Sequence, residues 1–301
     1  MSEFPEKLLP SRALIIGCGD VGLRVANVLR TMNREVTGVV RSEQSAAAIR
    51  AVGAHAALHD LDSGSDFIAD APLIFYFAPP PLGGSTDPRL RKVLQSIERQ
   101  QRVVYISTSG VYGDCAGRWI NEDEPLKPLS ERAHRRLDAE RAFTEWGGDH
   151  VILRVPGIYG PGRLPLERLR KNLPVIRESE SPYTNRIHAD DLAQAALHAV
   201  VFGKSGAAYN VSDGIPTTMC DYFTRCAALL DVPPPPQVTL EEARRVFTPA
   251  MWSFMEESKR LITTRLREEL HFTPRYPDLA HGLPACVVEN IPTRNRPSTR
   301  Q

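Results

Sequence analysis

The sequence predicts an α/β fold, a doubly wound parallel sheet with a smaller C-terminal substrate lobe. Three observations predict it. Over the first hundred residues, short apolar runs alternate with helical patterns, the mark of β-α-β units around a parallel sheet. The first apolar run turns into its helix through a glycine triplet, "LIIGCGDVG". After about residue 156 the alternation becomes less regular, as expected where a second lobe is added. The 301 residues provide ample material for a large core. The reading places a core over 1–160, a mixed segment completing that core and forming the lobe over 161–290, and a polar, disordered tail over 291–301.

Each element follows from its pattern. Arg12–Ile16 reads as a strand, and Val21–Thr31 as a helix with Val21, Val25, Val28 and Leu29 on one face. Glu35–Val40 is the second strand, and Ser42–Ala51 a helix with Ser42 as its N-cap. His55–Leu58 is a short third strand. Leu73–Ala78, apolar throughout, is a fourth and belongs at the sheet centre. A helix over Leu90–Gln100 leads to strand Val103–Ser107, and a long helix over Ser130–Trp146 to strand Val151–Val155. Beyond these, PGIYGPGR reads as a loop, Asp190–Val201 as a helix capped by an acid, and Tyr209–Val211 as a short strand. A helix over Thr217–Leu230 ends at DVPPPPQ, a rigid extended connection. Helices near Leu240–Phe247 and Ser258–Leu270 complete the lobe.

Composition excludes several functions. Hydrophobic residues make up 42% and charged residues 24%, and 37 Lys and Arg against 36 Asp and Glu leave a net charge of +1. No global field attracts a nucleic-acid backbone, so nucleic acid is not an expected partner. Five cysteines, an odd number with no CxxC pair, argue against a disulfide framework or zinc site and fit a reducing cytoplasm. The N-terminal stretch lacks the apolar run of a signal peptide, and no stretch approaches the ~18 apolar residues of a membrane span. A cytoplasmic protein without membrane attachment is expected. His55 and His59 have HxxxH spacing on a strand with no third ligand nearby, so no metal is expected.

Gly17, Gly19 and Gly22 stand in GxGxxG spacing between a strand and a helix, the context that a dinucleotide-binding Rossmann motif requires. Gly17 permits the tight turn, Gly19 lets backbone approach a pyrophosphate, and Gly22 lets the helix pack against the sheet. The helix beginning at Asp20 and Val21 offers free N–H groups to the anion. An acid after the second strand would bind the ribose 2′-hydroxyl of NAD. This chain has Arg41 and Ser42 there, and a guanidinium suits a 2′-phosphate, so NADP is expected ahead of NAD. In "HDLD", Asp60 and Leu61 fall where an adenine ring would lie.

With "VYISTSGVYGD", "LRVPGIYGPGR", "NRIHADDLAQAA" and "YNVSDG" following in order, the chain resembles the extended short-chain dehydrogenase/reductase superfamily. The likeness is strongest to the NAD-dependent epimerase/dehydratase group, particularly its atypical members, and spans about residues 12–284. The resemblance implies that Thr108, with Ser107 and Ser109 beside it, hydrogen-bonds the substrate oxygen. It adds Ala78, Ser107 and Pro156 to the cofactor set, with Arg154 and Tyr159 near the nicotinamide end. It also implies a homodimer through the long core helices, by analogy alone.

The family's Tyr-x-x-x-Lys pair should come next. Leu137 and Glu140 set the register of "SERAHRRLDAE", placing Arg132 at the tyrosine and Arg136 at the lysine. No tyrosine in the chain is followed by lysine four residues later. Arginine stays protonated, so neither residue serves as acid or base. Arg136 could still bind a ribose and Arg132 an anionic substrate group, since the two share a helix face. The alternative is a solvated basic helix paired with Asp138 and Glu140, with His134 facing solvent. Tyr112 and Tyr183 remain candidate proton donors without positional support. Two further departures weaken a nucleotide-sugar substrate: Gly157 stands where the family often has Asn, and Thr184, with Arg186 nearby, where it often has a diphosphate-clamping Arg. Asp190 and Asp191 read as caps.

The expectation is an NAD(P)-binding oxidoreductase or isomerase for a small polar, sugar-like substrate. Its site residues are Thr108, Arg132 and Arg136. The competing expectation is a non-catalytic NADP-binding redox sensor or regulatory module.

Overall fold

The computed structural model describes residues 4–63 and 69–288. Its centre is a sheet of seven parallel strands: β1 (Arg12–Ile16), β2 (Glu35–Val40), β3 (His55–Leu58), β4 (Leu73–Tyr76), β5 (Arg102–Thr108), β6 (His150–Val155) and β7 (Ala208–Asn210). Their spatial order is β7-β6-β5-β4-β1-β2-β3, so β4 lies in the middle, as its unbroken apolar character predicts. The order reverses between β1 and β4. This is the Rossmann arrangement, and it opens a crevice beyond the strands' C-terminal ends at that reversal.

Period-two alternation divides the core between the two faces. Ala13, Ile15, Leu73 and Phe75 pack with helices α1 (Asp20–Thr31) and α2 (Glu43–Ala51). Leu14, Ile16, Ile74 and Tyr76 pack on the other side with α3 (Pro88–Leu94) and α4 (Glu131–Trp146). Helices α2, α3 and α4 each begin where a side chain satisfies a free N–H group, whereas α1 starts at Gly19 with no side-chain cap. Ser42 caps α2, Asp87 accepts from Leu90 N at 3.1 Å to start α3, and Ser130 caps α4. The helix expected over Leu90–Gln100 therefore begins earlier and is shorter.

The lobe combines α5 (Leu166–Arg170) and α7 (Met219–Leu229) with several two-residue or three-residue strand pairs, while α6 (Ala189–Phe202) packs beside α1 in the main core. Part of the expected PGIYGPGR loop is one of these, since Gly157–Tyr159 runs parallel to Arg186–His188. The N-cap of α6 is His188, whose Nδ1 accepts from Asp190 N at 3.2 Å, and not an acid. Asp191 instead takes the backbone N–H groups of Arg275 and Tyr276 at 2.8 and 2.9 Å. The proline run has no regular secondary structure and leads into Gln237–Val238, paired with Val175–Ile176.

The expected helix over Ser258–Leu270 is mostly absent. Arg260–Leu261 pairs with Trp119–Ile120, and only Thr264–Glu268 is helical. There the N–H groups of Arg260 and Ile262 donate to Arg118 and Ile120 carbonyls, so tertiary pairing overrides local helix propensity. The tail expected over 291–301 lies outside the described residues. Among the described residues no helix is long and apolar enough to cross a membrane, and no cluster of His, Cys, Asp and Glu could hold a metal. The five cysteines are buried and unbridged.

Candidate functional site

A cleft of about 580 Å³ opens at the reversal of strand order. At its floor Gly17 adopts φ +81°, and a Cβ there would overlap the backbone N and Cα of Ala78. Only glycine fits. Gly22 is pressed against Ile15 and Cys18, leaving the helix close to β1. Gly19 differs: a Cβ on it would meet nothing within 4 Å. Protein packing accounts for the first and third glycines of the triplet, while the space above the second is open cleft. The first turn of α1 faces that space, with Asp20, Val21 and Gly22 lining it. Asp20 accepts from Arg24 Nε at 3.2 Å and from Arg163 Nε at 2.5 Å, and Arg24 also pairs with Asp190. Arg163, from the turn after Gly157–Tyr159, lines the cleft and was not anticipated from the sequence.

Arg41, Ser42, Asp60 and Leu61 line the far end. Ser42 Oγ is committed to Ser45 N (3.3 Å) and Asp60 Oδ1 to Asp62 N (3.0 Å). Arg89, also missed, lies here too. It donates to Asp62 through Nε (2.6 Å) and Nη2, and to the Pro79 carbonyl at 3.0 Å. Arg89 and Arg41 together hold the Asp62 carboxyl below the usual carboxylate range. Two guanidinium groups thus lie at the end where the sequence suggested one.

The basic helix is not a solvated face. Arg135 is 6% exposed and donates to the Gly84 carbonyl at 2.7 Å. Asp138 pairs with Arg91 of α3 at 2.7 Å and Glu140 with Arg154 of β6 at 2.9 Å. His134 alone behaves as expected, facing solvent. Arg136 reaches into the cleft, donating to the Ile106 carbonyl at 2.8 Å and to Tyr105 Oη at 3.2 Å. Burial pushes the Tyr105 phenol up to about 12, so it stays neutral and accepts that bond.

Arg132, one turn earlier, lines a second chamber of about 210 Å³ with Thr108, Pro156, Gly157, Arg186 and Lys259. Thr108 Oγ1 accepts from Gly110 N at 3.1 Å, which leaves its own proton available to a ligand. Two expected cofactor residues lie elsewhere. Ser107 is 3% exposed and donates to Glu140 Oε1 at 2.5 Å, so its hydroxyl is spent within the core. Pro156 belongs to the second chamber. Tyr112 is also removed as a proton donor. It is buried, donates to Asn210 at 2.7 Å and accepts from Arg154 at 3.0 Å, with burial raising its pKa to about 12. Tyr183 does line the chamber. Glu257 and Lys259, paired at 2.6 Å, were not foreseen: Lys259 fell inside the expected helix over Ser258–Leu270 and Glu257 just before it.

Beside the chamber, Asp213 has a buried Oδ2 with no hydrogen-bond partner. Burial raises its pKa to about 7, against the pull of Ile215 N–H and Arg186. An acid whose folded pKa is raised stabilises relatively below its unfolded value, and that stability is lost as pH climbs towards the folded value. Wild-type stability should therefore fall between about pH 4 and 7 through this group. Asp213→Asn, which keeps an acceptor for Ile215 N–H, should lack that component in urea melts at pH 5 and 8. Parallel pH profiles for the two proteins would contradict the assignment.

The geometry can be set beside known proteins. Residues 89–212 match the model of the NAD dependent epimerase/dehydratase family. A conserved protein of unknown function from Silicibacter pomeroyi DSS is 30% identical, with 93% of this chain and 100% of that one covered at a TM-score of 0.83. The dTDP-glucose 4,6-dehydratase of Bacillus anthracis, solved in complex with NAD, shares the fold at 15% identity and a TM-score of 0.73, covering 92% of this chain and 95% of that one. Human (Homo sapiens) dTDP-D-glucose 4,6-dehydratase is 25% identical over 125 residues, 38% of this chain. The match spans about a third of that relative's length, 36%.

Proposed function

Because this chain belongs to the NAD-dependent epimerase/dehydratase family, we propose that it is an NADP-dependent oxidoreductase or isomerase of epimerase/dehydratase type for a small polar substrate. The observation that carries this reading is the open space above Gly19 at the N-terminus of α1, between two glycines held by packing. Gly17, Gly19 and Gly22 with the first turn of α1 would hold the pyrophosphate. Arg41 and Arg89 would grip a 2′-phosphate, Asp60 and Leu61 would flank the adenine, and Arg136 would bind the ribose next to the nicotinamide. A bound nicotinamide supplies reversible two-electron exchange at a substrate carbon.

The chain's own residues would do the rest. Thr108 would donate a hydrogen bond from its hydroxyl to the reacting oxygen, keeping its own proton, and Arg132 would hold the substrate from the facing helix. Neither Arg132 nor Arg136 can release a proton at relevant pH. Of the side chains lining the chamber, Glu257 has an oxygen, Oε1, that is buried without a hydrogen-bond partner. It is the acceptor the chamber offers for the substrate proton, in place of the family's tyrosine.

In a thermal melt, NADP(H) at ~100 times its dissociation constant should stabilise the protein by ~2.7 kcal/mol. Unchanged midpoints with both NADP(H) and NAD(H) would overturn the reading. Arg41→Ala should weaken NADP binding about tenfold or more and leave NAD binding unchanged, as measured by fluorescence titration. Equal losses for both cofactors would remove the 2′-phosphate role. With an identified substrate, Thr108→Val should lower turnover about a hundredfold. Full activity in that variant would exclude Thr108 from the reaction.

A further inference from the structure

The chamber at Thr108 contains a guanidinium that no carboxylate among the described residues pairs directly: Asp213 attracts it only through space, and burial holds that acid towards its neutral form. Arg186, on the short strand Arg186–His188, is 8% exposed and lines this chamber. Its guanidinium lies 3.9 Å from the centroid of the Tyr222 ring, and Nη2 donates to Met219 Sδ at 3.1 Å, a weak acceptor. Nε has no hydrogen-bond partner, and among the described residues no carboxylate forms an ion pair with Arg186. A buried, unpaired guanidinium is unfavourable unless something supplies the missing anion.

The adjacent strand is cut to fit this side chain, since Gly157 is the register partner of Arg186. A Cβ at Gly157 would overlap Arg186 Nη1, so the absence of a side chain at 157 is what admits the guanidinium. The chamber also holds Arg132 and Lys259 against a single carboxylate, Glu257, which is already paired with Lys259. Its formal balance is positive. Its volume of about 210 Å³ lies below the ~300–1,000 Å³ of sites for drug-sized ligands, too small for a nucleotide and sugar together.

We propose that this chamber is an anion site. Resting on the family reading above, the substrate is a small molecule bearing a carboxylate or phosphate, gripped by Arg186 in the space vacated at Gly157, with its reacting oxygen at Thr108. The arginine fork matches either anion through two parallel N–H groups. Arg132 and Lys259 add charge around it. A neutral sugar, or a sugar whose charge lies on a distant diphosphate, leaves Arg186 unmatched.

The test uses the full chain with calorimetric titration of four probes: malonate, inorganic phosphate, glucose and UDP-glucose. NADP(H) binding is measured separately on every sample. Wild type should bind malonate or phosphate, the better of the two identifying the anion, and should bind glucose and UDP-glucose at least tenfold more weakly. Arg186→Met should weaken the anion about ten- to hundredfold while leaving NADP(H) affinity intact. Without any anion this variant should melt several degrees above wild type, because an unpaired buried charge has been replaced by an apolar side chain. Gly157→Ala, which displaces the guanidinium without removing it, should also weaken the anion. Anion binding that survives Arg186→Met, or tighter binding of UDP-glucose, overturns the proposal, as does wild-type protein that binds NADP(H) and neither anion. Anion binding without NADP(H) binding supports this site and overturns the cofactor assignment instead.

Discussion

Glu140→Ala should destabilise the fold by about 3–5 kcal/mol, a fall in Tm on the order of 10 °C. Glu140 is 5% exposed and Arg154 is 7% exposed. The carboxylate accepts from Arg154 Nη2 at 2.9 Å and from Ser107 Oγ at 2.5 Å, joining α4 to the ends of β6 and β5. Arg154 continues to Tyr112 Oη at 3.0 Å and the Glu122 carbonyl at 3.1 Å. Truncating the acid strands a buried guanidinium with only neutral acceptors, and that penalty exceeds the net worth of the pair. Glu140→Gln, which keeps the shape and two polar contacts, should lose less. Urea unfolding of the three proteins measures the difference, and a loss below about 1 kcal/mol in Glu140→Ala would mean that water or a neighbour reaches Arg154.

Gly17→Ala should abolish the midpoint shift produced by NADP(H). At φ +81° an L-residue costs roughly 1–2 kcal/mol before any contact is counted. The added methyl also meets the Ala78 backbone, the rigid end of the central strand, so relief requires the cradle to move away from β4. The N–H groups of Gly17 and Cys18 are held by the Val39 carbonyl at 3.1 and 3.2 Å, and that movement would break them as well. A cradle displaced by a fraction of an ångström no longer presents its amides to a pyrophosphate. Gly19→Ala separates the two effects. Its Cβ meets no protein atom, so the fold should stay as stable as wild type while cofactor affinity falls. Wild-type NADP(H) affinity in Gly19→Ala would show that the open space is not where the cofactor lies.

The sheet was legible because its information is local. Five of the seven strands are apolar runs bounded by turn residues, and the cradle glycines follow the first run directly. The ionic partners were not legible, since they join residues far apart in the chain. Asp138 and Glu140 looked like partners for the arginines on their own helix, yet their cations come from α3 and β6. Arg89 was hidden because the start of its helix was placed two residues too late. Arg186 was noticed only as a neighbour of a missing motif position. Its meaning emerged when Gly157, a second departure 29 residues upstream, proved to be the space that it fills. Lys259 and Glu257 gave no signal, because a segment rich in helix-forming residues is drawn into pairing with Trp119–Ile120.

Arg136 lines one cavity and Arg132 the other, one helical turn of α4 apart, about 5.4 Å of axis. Each position therefore touches a different ligand space: a substitution at Arg132 acts on the Thr108 chamber, while Arg136 and its bonds to Ile106 and Tyr105 stay as they are.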